Sequence, residues 1–267
     1  MNFLPNFTTL KQHSGIRKYF ANTSWLLGER ILRMGVSLFV GIYVIRYLGP
    51  EKYGLLSYTM SFVCLFSAFL DLGHREIIVR ELVLYPEQRN VILGSAILLR
   101  LGGAVFLGSG VAVGLQLVDN DQQTSLMITI VALGMAFQSW ELIDYYFQSQ
   151  VQSKYTAWAL TIQLIVVSLI KISLIIWQAP LIYFAAVFSL EYVITAALFL
   201  LMYKWQVGSF PILNCNLIYA RQMLKNSFPL LLTGMAILIY MKIDQVMLKE
   251  LVGAETVGTY AAAVKLC

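Results

Sequence analysis

The stretch YLGPEKYGLLSYTM, residues 47–60, returns near the end of the sequence as LVGAETVGTYAAAV, residues 251–264. In each, a glycine is followed two residues on by a glutamate, and three residues later by a second glycine. The first copy has Gly49, Glu51 and Gly54; the second has Gly253, Glu255 and Gly258. Each copy closes one long apolar run and opens another. A connector written twice at equivalent points of the hydropathy pattern predicts an internal repeat. One copy follows the first apolar run and the other follows the seventh, so the repeat unit is six helices and both copies enter the membrane in the same direction. Parallel repeats related by an axis along the membrane normal are one plan used by secondary transporters.

The composition around these connectors excludes an ordinary soluble domain, since 59% of the 267 residues are apolar, 12% are charged and the mean hydropathy is +0.73. Apolar runs cover 24–48, 53–72, 91–118, 125–147, 156–177, 181–202 and 226–248, and an eighth begins near Val257. Each approaches the length that crosses a hydrocarbon core of about 30 Å as a helix. Backbone amides in lipid must pair within their own segment, and the alternation of barrel strands is absent, so the fold class is an all-α polytopic membrane protein. The polar, basic start has no short apolar run with a cleavage site, so the first span serves as the internal signal. Cys64, Cys215 and Cys267 are too scattered for a disulfide frame or a metal site, and neither metal nor cofactor is expected. No basic run interleaved with aromatics points to nucleic acid.

Gly49-Pro50, Asp119-Asn120-Asp121 and Gln178-Ala179-Pro180 carry turn chemistry between spans, which makes successive spans antiparallel neighbours. With the N-terminus inside, Lys11, Arg17, Lys18, Arg75, Arg80, Arg89, Lys154, Lys204, Arg221 and Lys225 fall on the cytoplasmic side, while Arg46, Lys52 and Lys249 fall outside. That bias follows the positive-inside rule and predicts a multi-pass protein of the cytoplasmic membrane. The domains are then a cytoplasmic segment 1–23, a six-helix transmembrane bundle 24–202, a cytoplasmic linker 203–225 and the beginning of a second bundle 226–267. Within the connector HREIIVRELVLYPEQR, residues 74–89, Ile77, Ile78, Leu82 and Tyr85 recur at helical spacing between charged residues. An amphipathic helix on the cytoplasmic membrane face is predicted there.

Three motifs in this order carry a resemblance: RYLGPEKYGLLSY at 46–58, DLGHREIIVREL at 71–82 and YYFQSQVQSKYTAWA at 145–159. From Trp25 onward the chain resembles the polysaccharide flippases (Wzx-type, oligosaccharide flippase family) of the multidrug/oligosaccharidyl-lipid/polysaccharide exporter superfamily. The resemblance implies two six-helix bundles facing each other across a central cavity. With Cys267 at the start of the second bundle, it also implies a shortened sequence. It further implies that arginines on the first helix bind a lipid diphosphate, without choosing between Arg30 and Arg33.

Ionisable residues inside spans mark polar pathways. Arg33 and Arg100 both lie roughly 13 Å from the cytoplasmic ends of their spans, and Arg30 is one turn nearer that end. Guanidinium forks pair with phosphate oxygens and stay charged at low dielectric, so Arg30, Arg33 and Arg100 are candidate diphosphate ligands. For Arg33 a second reading stands, in which Glu29 pairs with it at i,i+4 and neutralises it. On the fourth span Gln138, Glu141, Asp144 with Tyr145, and Gln148 share a stripe near the cytoplasmic end, where interfacial snorkelling competes with a cavity role; the same holds for Asp71. Glu191, near mid-depth, is a candidate for coupling to a proton or sodium gradient, with pairing to Lys171 as the alternative. Lys242 and Asp244 point to nearly opposite sides of the seventh span, so one of them faces the cavity or another helix.

The function this implies is alternating-access transport, not enzymatic turnover, of an undecaprenyl-diphosphate-linked oligosaccharide from the cytoplasmic to the outer leaflet. Its partners are that lipid, the bilayer and other membrane proteins of polysaccharide assembly. A cation-coupled multidrug exporter would favour a cavity dominated by carboxylates, and a membrane-embedded polymerase or acyltransferase would need an acid/base pair at an exposed rim.

Overall fold

A computed structural model of the chain describes residues 14–118, 121–208 and 214–266. Lys11, the Asp119-Asn120 turn and Cys267 lie outside the described residues. Among those described, all regular structure is helical, as the hydropathy requires. Among the described residues, six helical stretches have the length and apolarity to cross a membrane. The helices are α1 (Ser14–Phe66), α2 (Ala68–Asp71), α3 (Arg75–Leu84), α4 (Arg89–Leu117), α5 (Gln122–Met135), α6 (Leu142–Ser149), α7 (Ser153–Ile176), α8 (Leu181–Val207), α9 (Leu217–Leu251) and α10 (Ala254–Leu266).

Helix α1 supplies two crossings. Its apolar part, Asn22–Phe66, has 45 residues. Straight, that would span about 68 Å, more than twice a hydrocarbon core. Gly49 breaks it with φ 72° and ψ 172°, a conformation open to glycine, and Pro50 then starts the second arm at the position where its missing N–H does no harm. The chain doubles back there, so that Val40, Gly41 and Val44 of the first arm and Tyr53, Leu56 and Ser57 of the second line one cavity. Gly253, between α9 and α10, also has positive φ, 111°.

The two copies of the connector pack against each other. A Cβ on Gly54 would fall 1.8 Å from the carbonyl oxygen of Ala254, and a Cβ on Gly258 would fall 1.8 Å from that of Pro50. Pro50 follows Gly49 as Ala254 follows Gly253, so these are one contact seen from each copy. Such reciprocity is what a two-fold axis imposes. It recurs one step out: Ser61 donates to the Gln245 side chain at 2.8 Å, and at the equivalent pair Lys265 lies over Gly41, its Nζ 2.7 Å from where a Cβ would be. The repeat read from six residues is thus a pseudo-two-fold crossing of backbone on backbone.

Two differences from the expected spans have local causes. The fourth span is not one helix, since residues Ala136–Glu141 between α5 and α6 form a 3-10 turn. Arg100 of α4 donates to the Gln138 carbonyl inside it at 2.8 Å, and a side chain inserted into the backbone ladder distorts a helix in this way. The expected linker 203–225 is mostly helical. Helix α8 runs on to Val207 before Gly208 closes it in the left-handed region, and α9 starts at Leu217, where the Asn216 side chain accepts from the amides of Ile218 and Tyr219 at 3.0 and 3.1 Å. The amphipathic α3 forms as expected, with Ile78 and Leu82 buried and Arg75, Glu76 and Arg80 exposed.

Candidate functional site

The cavity between the arms of α1 and helices α7, α8 and α10 has a volume of about 260 Å³. Its position follows from the glycine turn: the arms of α1 diverge from Gly49 and open a wedge that α7 and α8 wall off. Three cations line it, Arg33 on α1, Lys171 on α7 and Lys265 on α10, against one carboxylate, Glu191 on α8. Arg33 donates through Nε to Glu29 at 2.6 Å and through Nη2 to Gln163 at 3.4 Å, while Lys171 Nζ lies 3.6 Å from Glu191. Both pairings weighed as alternatives in the sequence are therefore formed. They leave the Lys265 ammonium, held over Gly41, without a hydrogen bond or salt bridge among the described residues. Even with Glu29 included, the cavity keeps a surplus of one positive charge, and in a medium of low dielectric such a surplus attracts an anion strongly.

Arg100 and Arg30 do not join Arg33. Arg100 is 1% exposed and its fork is occupied: besides the Gln138 carbonyl, Nη2 donates to Asp71 at 3.1 Å and to the Tyr145 hydroxyl at 2.6 Å. It lies 5.2 Å from the centre of the Tyr145 ring, and Arg75 lies 5.5 Å from it. Depth within a span placed Arg33 and Arg100 at one level but not on one side of the bundle. Arg30 is exposed and outside the cavity, with no partner among the described residues. Lys242 also lies outside it. Its neighbour Asp244 turns to α10 and accepts from the Tyr260 hydroxyl, so Asp244 is the member of this pair that faces another helix.

Around Arg100 the polar stripe of the fourth span closes into a cluster. Asp144 accepts from Thr156 and from Gln148, each at 2.6 Å, and lies 3.8 Å from Arg75; Gln138 donates to Glu141 at 3.5 Å. Glu141 thereby belongs to this cluster and not to the cavity wall. His74, at the connector between α2 and α3, is fully buried with neither ring nitrogen hydrogen-bonded. Burial, reinforced by the Arg100 charge, lowers its pKa to about 4, so it is neutral at physiological pH. The cluster joins α2, α4, α6 and α7 at the basic end of the bundle and acts as a brace.

Lys265 is the cavity residue that span-by-span reading missed. A signal for it existed, because Lys265 stands where Ser61 stands in the first copy, two polar residues at one repeat position inside apolar runs.

A family model described as polysaccharide biosynthesis protein matches residues 19–267. No curated protein and no solved structure matches the chain.

Proposed function

The chain belongs to the polysaccharide biosynthesis protein family, whose role is transport in polysaccharide synthesis, and on that premise we propose that it moves a lipid-diphosphate-linked oligosaccharide across the cytoplasmic membrane. The diphosphate binds in the cavity between Arg33, Lys171 and Lys265. The observation that carries this reading is the surplus of positive charge in a cavity between membrane-spanning helices. Two phosphates supply the charge that Glu29 and Glu191 fall short of, and the arginine fork matches their oxygens in pairs.

Alternating access follows from the crossing at Gly54 and Gly258. Backbones in direct contact, without interdigitated side chains, let one repeat rock on the other about the pseudo-two-fold axis. The Lys171–Glu191 pair is the coupling element: protonation of Glu191 from the outer side frees Lys171 for the phosphates. The basic end that carries Arg75, Arg80 and Lys154 faces the cytoplasm.

The test uses cells that depend on this chain for surface glycan. With Arg33→Ala, the lipid-linked unit accumulates on the cytoplasmic leaflet and surface glycan is lost. If the unit instead reaches the outer leaflet but fails to lengthen, the chain acts in polymerisation and the transport reading is wrong.

A further inference from the structure

Beside the charged cavity lies a second, larger space. It is a groove of about 470 Å³ between the first arm of α1 and α7, on the other side of the Glu29–Arg33 pair. Trp25, Gly28 and Leu32 form one wall, Ala157 and Trp158 the other, and Glu29 stands at the floor. The two tryptophans are about half exposed and their rings lie 6.0 Å apart. They sit about one helical turn inside the clasp in which Asn22 bonds Ser153 through both its amide atoms, at 3.0 and 2.6 Å, the level at which tryptophan marks a membrane interface. A side chain on Gly28 would meet nothing within 4 Å, so the groove is open beside this wall where a bulkier residue would close it.

We propose that this groove binds the polyisoprenyl tail of the lipid diphosphate; the proposal rests on the transport reading above. The argument is one of continuity and charge. Arg33 and Gln163 line the cavity, while Glu29, bonded to Arg33, lines the groove. A molecule with its phosphates at Arg33 therefore has an apolar, open trough beginning beside its charged end, in the leaflet from which it is drawn. An acyl phospholipid fits the apolar walls alone. A single-chain lipid with two phosphates also matches the cations of the cavity. The ordinary pattern of a ligand site, mostly apolar with a few placed polar groups, is met by groove and cavity together. On binding, the diphosphate takes the arginine from Glu29, whose carboxylate turns to Ser24 and Thr161 at the groove wall.

The experiment titrates the purified full chain in nanodiscs with inorganic pyrophosphate, farnesyl diphosphate and a long-chain polyprenyl diphosphate, following the fluorescence of tryptophan and thermal stability. The wild type binds the polyprenyl form at least tenfold more tightly than pyrophosphate, with a blue shift of tryptophan emission. Gly28→Phe, or separately Ala157→Leu, fills the groove and removes that gain while pyrophosphate affinity is kept. If pyrophosphate binds and the wild type shows no more gain from chain length than the filled variants, the groove proposal is overturned and the transport reading stands. If phosphatidylglycerol displaces the tail at equal concentration, the groove holds annular lipid and the proposal is again overturned. If neither pyrophosphate nor the prenyl diphosphates bind, the transport reading fails and takes this one with it.

Discussion

The two edges of the pseudo-two-fold crossing have the same backbone arrangement and opposite chemistry. At one edge Ser61 and Gln245 are buried and bonded to each other at 2.8 Å, neutral and closed. At the other, the equivalent positions are Lys265 and Gly41, a cation lying over a bare backbone at the wall of a cavity. A repeat duplicates the scaffold, and the difference between copies falls at the cavity proposed above as the binding site. The neutral edge satisfies its polar groups internally and needs no ligand. The cationic edge has three cations against the carboxylates Glu191 and Glu29, and on the proposed reading a bound anion offsets the surplus.

The comparison breaks most completely at its shared centre. Gly54→Val puts side-chain atoms into the Ala254 carbonyl, which is backbone and cannot step aside. The expected loss is roughly 3 kcal/mol or more, seen as lower yield of monodisperse protein and an earlier denaturant midpoint. Gly35→Ala, where nothing lies within 4 Å, is the control, and helix propensity makes it neutral to stabilising.

A second effect comes from outside the crossing and sets a pH window for studying it. His74 has a folded pKa of about 4 against about 6.5 when unfolded, so the unfolded chain takes up the proton first as the pH falls. Stability is therefore full above about pH 6.5 and declines until about pH 4, by roughly 3 kcal/mol. Thermal melts at pH 7.5 and 4.5 show the loss, and it is largely absent in His74→Gln.

Copying the neutral edge onto the cationic one sharpens the contrast directly. Lys265→Ser with Gly41→Gln recreates the Ser61–Gln245 bond in the cavity. Pyrophosphate affinity falls by about 1.5 kcal/mol, a little over tenfold, with little change in stability, as measured by calorimetric titration. The smallest effect has the opposite sign: Glu29→Gln removes the anion that competes for Arg33, and pyrophosphate binds about threefold tighter, ~0.7 kcal/mol. A residue with only a structural role would not strengthen binding when altered.

What the sequence made legible follows the range of the forces involved. The spans are local sums of hydropathy, and the connector glycines answer local backbone demands, so both can be read from short windows. The Arg33–Glu29 pair was visible for the same reason, being one helical turn apart. Arg100 was misplaced because its partners, Asp71, Tyr145 and the Gln138 carbonyl, come from other segments, and depth along a span carries no information about direction around the bundle. The early start of α9 was hidden by Arg221, Gln222, Lys225 and Asn226, whose polarity resembles a loop, although Asn216 offered a cap. Lys265 needed the two-fold relation before its place in the cavity could be seen. Pairing inside apolar runs thus depends on tertiary arrangement, while the existence of those runs does not.

The central claim is that Arg33 and Lys265 form one anion site and that Arg30 lies outside it. Calorimetric titration of the purified chain with inorganic pyrophosphate tests it most directly. Saturable binding is predicted for the wild type and for Arg30→Ala alike, weakened at least tenfold in Arg33→Ala and in Lys265→Ala. Equal affinity in all four proteins, or loss in Arg30→Ala with retention in Lys265→Ala, would contradict the account.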